Sequence, residues 1–167
     1  MSEPSTGSYP FGDLLALARQ SWLGQMASRL DALGYPGYLR SDAAVIRLLR
    51  RGPVPVGRLG TVLGVTRQAA RKVADGLEQR GYATTARDTR DTRQVNVILT
   101  PAGHAYARAV TAVIEELNRE VARQVSPGQL AAADAVLRAA LFDDSARQRA
   151  SRLPRPAGPG HTPPELR

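Results

Sequence analysis

The sequence predicts a mainly α-helical fold with one small β-hairpin in its middle. Three observations carry this. Apolar residues recur at spacings of three and four over most of the 167 residues. The period changes only between Tyr82 and Leu99, where two short Thr- and Val-containing runs alternate instead. Between the periodic runs fall helix starts and stops made of Gly, Pro, Ser and Thr.

The elements follow in order. Residues 1–8 are rich in Ser, Gly and Pro and are expected to be disordered. From Phe11 to Leu33 one apolar stripe runs through Leu14, Leu15, Ala18, Trp22, Met26, Leu30 and Leu33, and Gly34-Tyr-Pro-Gly37 ends it. Ser41 reads as the N-cap of a second helix to about Arg50, with Val45, Ile46, Leu48 and Leu49 apolar. A short helix, Val56 to Leu63, ends at Gly64. Thr66 then caps a fourth helix to about Arg80, whose inner face is Ala70, Val73, Ala74 and Leu77.

Two strands come next, Tyr82–Arg87 and Gln94–Leu99, joined by Asp88-Thr-Arg-Asp-Thr-Arg93. Thr100-Pro101 starts a long helix to about Arg123, since proline suits the first helical position. Ser126-Pro-Gly-Gln129 has the shape of a capping box and starts the last helix, with Leu130, Ala133, Val136, Leu137, Ala140 and Leu141. Beyond Ala146 the chain is rich in Arg, Pro and Gly and is expected to be disordered.

Composition narrows the function. There is no cysteine, so thiolate metal sites and disulfides are excluded. His104 and His161, the two histidines, are far apart in sequence, and no metal site or cofactor is expected. No apolar run approaches the roughly 20 residues of a membrane span. The first ten residues do not resemble a secretory signal, so the expected location is the cytoplasm. No nucleophile elbow, triad spacing or phosphate-binding glycine loop occurs, so no enzyme is expected.

The net charge of +8 is unevenly placed. Leu39 to Thr100 holds eleven Arg, one Lys and five acids, a net +7, whereas Met1–Tyr38 and Pro101–Ser145 are mildly acidic. A codon bias accounts for Arg over Lys but not for this confinement. A segregated basic block suits a polyanion.

That block contains a helix-turn-helix spacing, Val54 to Gly81, whose second helix turns Arg67, Gln68, Arg71, Lys72 and Asp75 outward. Arg and Gln pair with base edges in the major groove, and Thr66 and Lys72 can reach phosphates. An ordinary helix with a solvated basic face has the same pattern. The hairpin immediately after it has the form of a wing, and Arg87, Arg90 and Arg93 are placed to reach the backbone or the adjacent minor groove. Asp88 and Asp91 suit a role in orienting those arginines. A charged turn that only keeps the loop soluble is the plainer alternative.

Gly64-Val-Thr-Arg-Gln-Ala-Ala-Arg-Lys-Val-Ala-Asp-Gly-Leu-Glu-Gln-Arg-Gly81 resembles the recognition-helix block of the MarR family. Asp88-Thr-Arg-Asp-Thr-Arg93 and Leu99-Thr-Pro-Ala-Gly103 resemble that family's wing and following helix, and the helix order matches over Phe11 to Phe142. The resemblance implies a homodimeric winged helix-turn-helix regulator, a repressor more often than not, bound to double-stranded DNA at a pseudo-palindromic operator. It implies that Arg90 enters the minor groove and that the first and last helices form the dimer interface. The resulting division is a dimerisation helix at 9–38, a DNA-binding lobe at 39–100, dimerisation helices at 101–145 and a tail at 146–167. Ala69-Ala70 and Gly76 depart from the pattern by leaving the recognition helix light in side chains. The Arg-rich tail has no counterpart in it.

The family also implies a small aromatic or other hydrophobic effector. Trp22, Met26 and Tyr38, with Tyr35 nearby, are the candidate effector-binding residues, although plain core or interface packing is the favoured account of Trp22 and Met26, and anchoring of the turn is the alternative for Tyr35 and Tyr38. The alternative function is a helical dimer that acts through protein partners without reading DNA, which only the bare Ala69-Ala70 face favours.

Overall fold

The computed structural model describes residues 10–88 and 93–151. Its elements are α1 (Phe11–Ala32), α2 (Asp42–Leu49), β1 (Val54–Pro55), α3 (Val56–Leu63), α4 (Arg67–Gln79), β2 (Ala83–Arg87), β3 (Val95–Leu99), α5 (Pro101–Gln124), α6 (Pro127–Ala139) and α7 (Asp144–Ala150). This is the mainly helical fold with a small sheet that the periodicity predicts.

The helix starts follow local chemistry. Thr66, Thr100 and Ser126 each accept, through the side-chain oxygen, the backbone N–H three residues on. Gln129 returns the bond to Ser126, which completes a capping box. Gly64 closes α3 at φ 68°, a left-handed value that favours glycine.

Three boundaries differ from expectation. Ser41 makes no side-chain cap; the Asp42 carboxylate accepts the Leu39 N–H instead, at 3.1 Å. Val54-Pro55 is a strand rather than a connection, because Val54 pairs with Val97 and makes β3 the centre of an antiparallel β1-β3-β2 sheet. The chain also continues as α7 past Ala146, where Asp143 supplies the N-terminal acceptor: its carboxylate accepts the Ala146 N–H at 2.7 Å. Residues 1–9 and 152–167, which include most of both expected disordered ends, lie outside the described residues.

One core joins the helices to the sheet. Met26 and Leu30 of α1, Val45, Ile46 and Leu49 of α2, Leu59 of α3, Ala70, Ala74 and Leu77 of α4, Val97 and Leu99 of β3, and Tyr106, Val110 and Val113 of α5 are buried together. Burying such side chains stabilises by about 1.5–3 kcal/mol each for the larger ones. The sheet meets α5 at a tight joint. The Thr100 hydroxyl donates to the Gly81 carbonyl at 2.6 Å while accepting the Gly103 N–H at 3.0 Å. A Cβ on Gly103 would collide with the Tyr82 carbonyl oxygen, so this close approach requires glycine.

The apolar stripe of α1 is only partly used within the chain. Met26 and Leu30 are buried, whereas Leu14, Leu15, Leu17 and Leu33 are exposed. Val121 of α5, Val136 and Leu137 of α6 and Phe142 are exposed as well. Arg29 anchors α1 to α5 through Glu120, with both guanidinium–carboxylate bonds at 2.8 Å, and through Glu116 at 3.1 Å.

Candidate nucleic-acid interface

The basic block folds into one concave surface. The turn Gly64-Val65 is held by the Val65 N–H, which donates to the Gly60 carbonyl at 3.0 Å, and it sets α4 across α3. Thr66 fixes the first turn of α4, its hydroxyl oxygen accepting the Ala69 N–H at 3.2 Å. With Ala70, Ala74 and Leu77 turned into the core, Arg67, Gln68, Arg71 and Lys72 are exposed. Helix geometry places Arg67 and Arg71 one turn apart, with Gln68 beside them.

A cleft of about 760 Å³ opens between the α3 start, the outer face of α4 and the base of the hairpin. Arg67, Gln68 and Arg71 line it, with Arg93 and Gln94 from the hairpin and Arg58 from α3. Four guanidinium groups and two amides therefore converge on one opening. Such a set donates hydrogen bonds to phosphates and to the acceptor-rich edges of guanine and adenine. Arg71 also donates to Asp75 one turn on, at 2.9 Å, with both side chains near half exposure. That pair is easily exchanged for a ligand because exposed ion pairs contribute little.

The remaining candidates fall around this cleft. Lys72 and Arg87 are exposed but do not line it. Thr66 serves the helix as its cap, and its hydroxyl hydrogen is still available to donate. Arg90 and Asp91 lie outside the described residues. Asp88 accepts a hydrogen bond from the Asn96 amide at 2.8 Å, and its backbone N–H donates to the Gln94 carbonyl at 2.9 Å, so the neck of the hairpin is pinned on both sides. Sequence reasoning missed Arg58, Gln94 and Asn96. Arg58 sits on α3, and only the folded turn to α4 brings it to the cleft. Asn96 interrupts the apolar residues of β3, and that interruption is a signal the alternation offered.

The three candidate effector residues are not gathered around an opening. Met26 is fully buried in the core, and Trp22 and Tyr38 are half-buried against it. Neither the large cleft nor a smaller cavity of about 160 Å³ between α2 and α5 is lined by any of them. Burial, and secondarily the nearby Asp42 carboxylate, raise the Tyr38 phenol above its usual pKa.

At the far end of α4 from the cleft lies a buried polar joint. Asp42, at the start of α2, is 0% exposed. Its carboxylate accepts from both Arg80 terminal nitrogens at 2.8 and 3.0 Å, from the Tyr106 hydroxyl at 2.6 Å and from the Leu39 N–H. Arg80, just past α4, donates further to the carbonyls of Gly76 and Gly37, each at 3.0 Å. Its guanidinium sits 5.4 Å from the Tyr82 ring centre and 5.9 Å from that of Tyr106. Tyr82 and Tyr106 stack at 4.2 Å, and Tyr35 packs against both. The Asp42 hydrogen bond raises the Arg80 pKa, while burial followed by the Asp42 bond holds the Tyr106 phenol far above its ordinary value.

Among the described residues no group of His, Asp or Glu is arranged to hold a metal ion, and no helix is long and apolar enough to cross a membrane.

Residues 37–94, the span from the loop before α2 into the hairpin, match the sequence profile of the MarR family. No curated protein matches the chain in sequence. Among solved structures, a probable transcriptional regulator from Pseudomonas aeruginosa is 26% identical with a TM-score of 0.65, covering 78% of this chain and 96% of its own. A mutant MarR from E. coli, complexed with operator DNA, is 21% identical with a TM-score of 0.67, over 84% of this chain and 99% of its own. The PcaV transcriptional regulator from Streptomyces coelicolor, in complex with its natural ligand, is 19% identical with a TM-score of 0.66, over 84% of this chain and 96% of its own.

Proposed function

We propose, on the match of residues 37–94 to the MarR family profile and the winged-helix fold, that the chain is a DNA-binding transcriptional regulator of that kind rather than an enzyme, and that it acts as a cytoplasmic homodimeric repressor on a pseudo-palindromic operator. The observation that carries the reading is the cleft where Arg58, Arg67, Gln68, Arg71, Arg93 and Gln94 converge. In a two-fold dimer, two such surfaces enter successive major grooves roughly 34 Å apart. Arg67, Gln68 and Arg71 read base edges. Arg58, Lys72, Thr66, Arg87 and Arg93 hold phosphates, and Arg90 enters the flanking minor groove. Asp88 and Asp91 orient the wing. The exposed apolar residues of α1, α5 and α6 supply the dimer contact, with the lobe at 39–100 between them.

Repression is the more common outcome of such a geometry, because a dimer seated across a promoter blocks polymerase. A small hydrophobic effector, bound near Trp22, Met26 and Tyr38, would act by favouring one separation of the two lobes. The S. coelicolor structure with its natural ligand supports an effector in principle. The protein-interaction alternative loses its ground here, because the light Ala69-Ala70 stretch is flanked by four convergent cations rather than by an apolar face.

Selection of binding sites from a random duplex pool tests the reading. The expected product is one enriched pseudo-palindrome. Arg71→Ala is then expected to cost about 1–3 kcal/mol and to relax preference at one operator position. A pool that shows no enrichment above non-specific retention at moderate salt overturns it. A reporter driven from the selected site, with expression rising when the protein is withdrawn, distinguishes repression from activation.

A further inference from the structure

We propose that Asp42, Arg80 and Tyr106 form a positioning joint that fixes the angle between the recognition helix α4 and the α5 scaffold, and thereby sets the half-site spacing the dimer accepts. The inference rests on the reading of α4 as the DNA-reading helix.

The joint ties four parts of the chain at one carboxylate. Arg80 brings α4, Asp42 brings α2, Tyr106 brings α5, and Leu39 brings the loop before α2. The forked Arg80–Asp42 pair constrains direction as well as distance, since two parallel N–H···O bonds forbid rotation about either one. Two stacked rings under the guanidinium remove the remaining freedom.

Stability alone does not account for this choice of residues. A buried ion pair is commonly no better than well-packed apolar side chains of the same volume. What the polar cluster adds is a single permitted orientation. Asp42 accepts from Arg80, Tyr106 and the Leu39 N–H, so a tilt of α4 breaks both Arg80 bonds while the other two hold the carboxylate in place.

The location amplifies any error. α4 spans thirteen residues, about 20 Å at 1.5 Å per residue. Arg80 is at one end of that lever and Arg67, Gln68 and Arg71 are at the other. A tilt of about 10° at Arg80 moves the reading end by about 3 Å, close to the rise of one base pair. Elsewhere α4 packs chiefly along α3 and against β2. The joint, together with the Thr100–Gly81 bond, therefore holds the lobe to the long helix.

Spin labels at Lys72→Cys on α4 and Arg119→Cys on α5 test this without DNA. The chain has no native cysteine, so labelling is clean, and dilution with unlabelled chain isolates the distance within one protomer. Arg80→Lys keeps the charge but loses the fork, and Tyr106→Phe removes one hydroxyl. Both are expected to broaden the α4–α5 distance distribution, while Val113→Ala, a plain core truncation in α5, does not. If Arg80→Lys does not fold, Tyr106→Phe carries the same measurement. An unchanged distribution, or equal broadening in the Val113→Ala control, overturns the proposal.

A second arm uses the selected operator with its half-sites moved one base pair closer or further apart. The wild type is expected to lose about tenfold in affinity away from its optimum, within the usual range of coupling between sites. Tyr106→Phe and Arg80→Lys are expected to bind all three spacings alike. A uniform loss that keeps the wild-type ratios overturns the positioning role. Failure of the wild type to select any operator counts against the DNA-reading function, and leaves the label distances to decide the joint by themselves.

Discussion

At the scale of single residues, Arg71 and Asp75 show how the interface holds charge in reserve. Their ion pair joins consecutive turns of α4 at 2.9 Å, and both side chains are near half exposure. Such pairs contribute about 0–1 kcal/mol. Asp75→Ala is therefore expected to leave the melting temperature almost unchanged, while freeing Arg71 and removing a negative charge beside the cleft. Affinity for non-specific duplex at low salt should rise, and a salt titration reads it; a fall in affinity would mean that Asp75 holds Arg71 in its binding rotamer.

Tyr106 gives a second residue-scale expectation. Burial and the Asp42 bond raise its phenol above the ordinary value of 10.0, and Tyr38 and Tyr82 shift in the same direction. Above that pH the unfolded chain gives up phenolic protons that the folded chain keeps. The folded state then binds more protons, so stability is complete below about pH 10 and declines as pH rises further. Tyr106→Phe removes one of these groups. It is expected to lower stability at neutral pH by about 1–3 kcal/mol, because Asp42 loses a donor. It is also expected to flatten part of the alkaline decline in thermal denaturation. A decline as steep as the wild type's would move the effect to Tyr38 and Tyr82.

Elements were legible where the signal is local. Thr66, Thr100 and Ser126 act through a side chain and an N–H three residues on, so the sequence window contains the whole interaction. Ser41 looked alike but was displaced by Asp42, whose buried carboxylate answers to Arg80 and Tyr106 from distant segments. β1 was hidden for the same reason: Val54-Pro55 becomes a strand only beside Val97. The outward face of α4 was readable from helical period, but Arg58 and Gln94 join it at the cleft only through tertiary folding. The Leu-Thr-Pro-Ala-Gly run carried more than a helix start. Its Thr100 hydroxyl also bonds the Gly81 carbonyl, and its Gly103 admits the Tyr82 backbone. Thr100→Ala is expected to cost about 1–2 kcal/mol as a lost cap. Because the same hydroxyl ties the hairpin to α5, amide exchange in β2 and β3 should rise with that in the first turn of α5. Exchange confined to α5 would reduce Thr100 to a cap alone.

At the scale of the molecule, the exposed apolar residues are the surface on which the proposed dimer is tested. Leu17 is 62% and Phe142 85% exposed, with Leu14, Leu15, Val121, Val136 and Leu137 also uncovered along α1, α5 and α6. Among the described residues none of α6 is fully buried, and Val136 and Leu137 stand exposed. Covering these faces in a dimer yields about 25 cal/mol for each Å² removed from water, and a stable interface removes roughly 800 Å² per partner. Leu17→Glu places a charge inside that contact and leaves the core around Met26 and Leu30 intact. It is expected to shift the protein from dimer to monomer in sedimentation velocity with little loss of helical circular dichroism. Operator affinity is expected to fall about 10²–10⁴-fold, because the second half-site no longer binds as a tethered partner, while the affinity of a single half-site stays the same. A dimer that survives Leu17→Glu but dissociates on Phe142→Ser would place the contact on the C-terminal helices alone, and α1 would then need another partner to cover it.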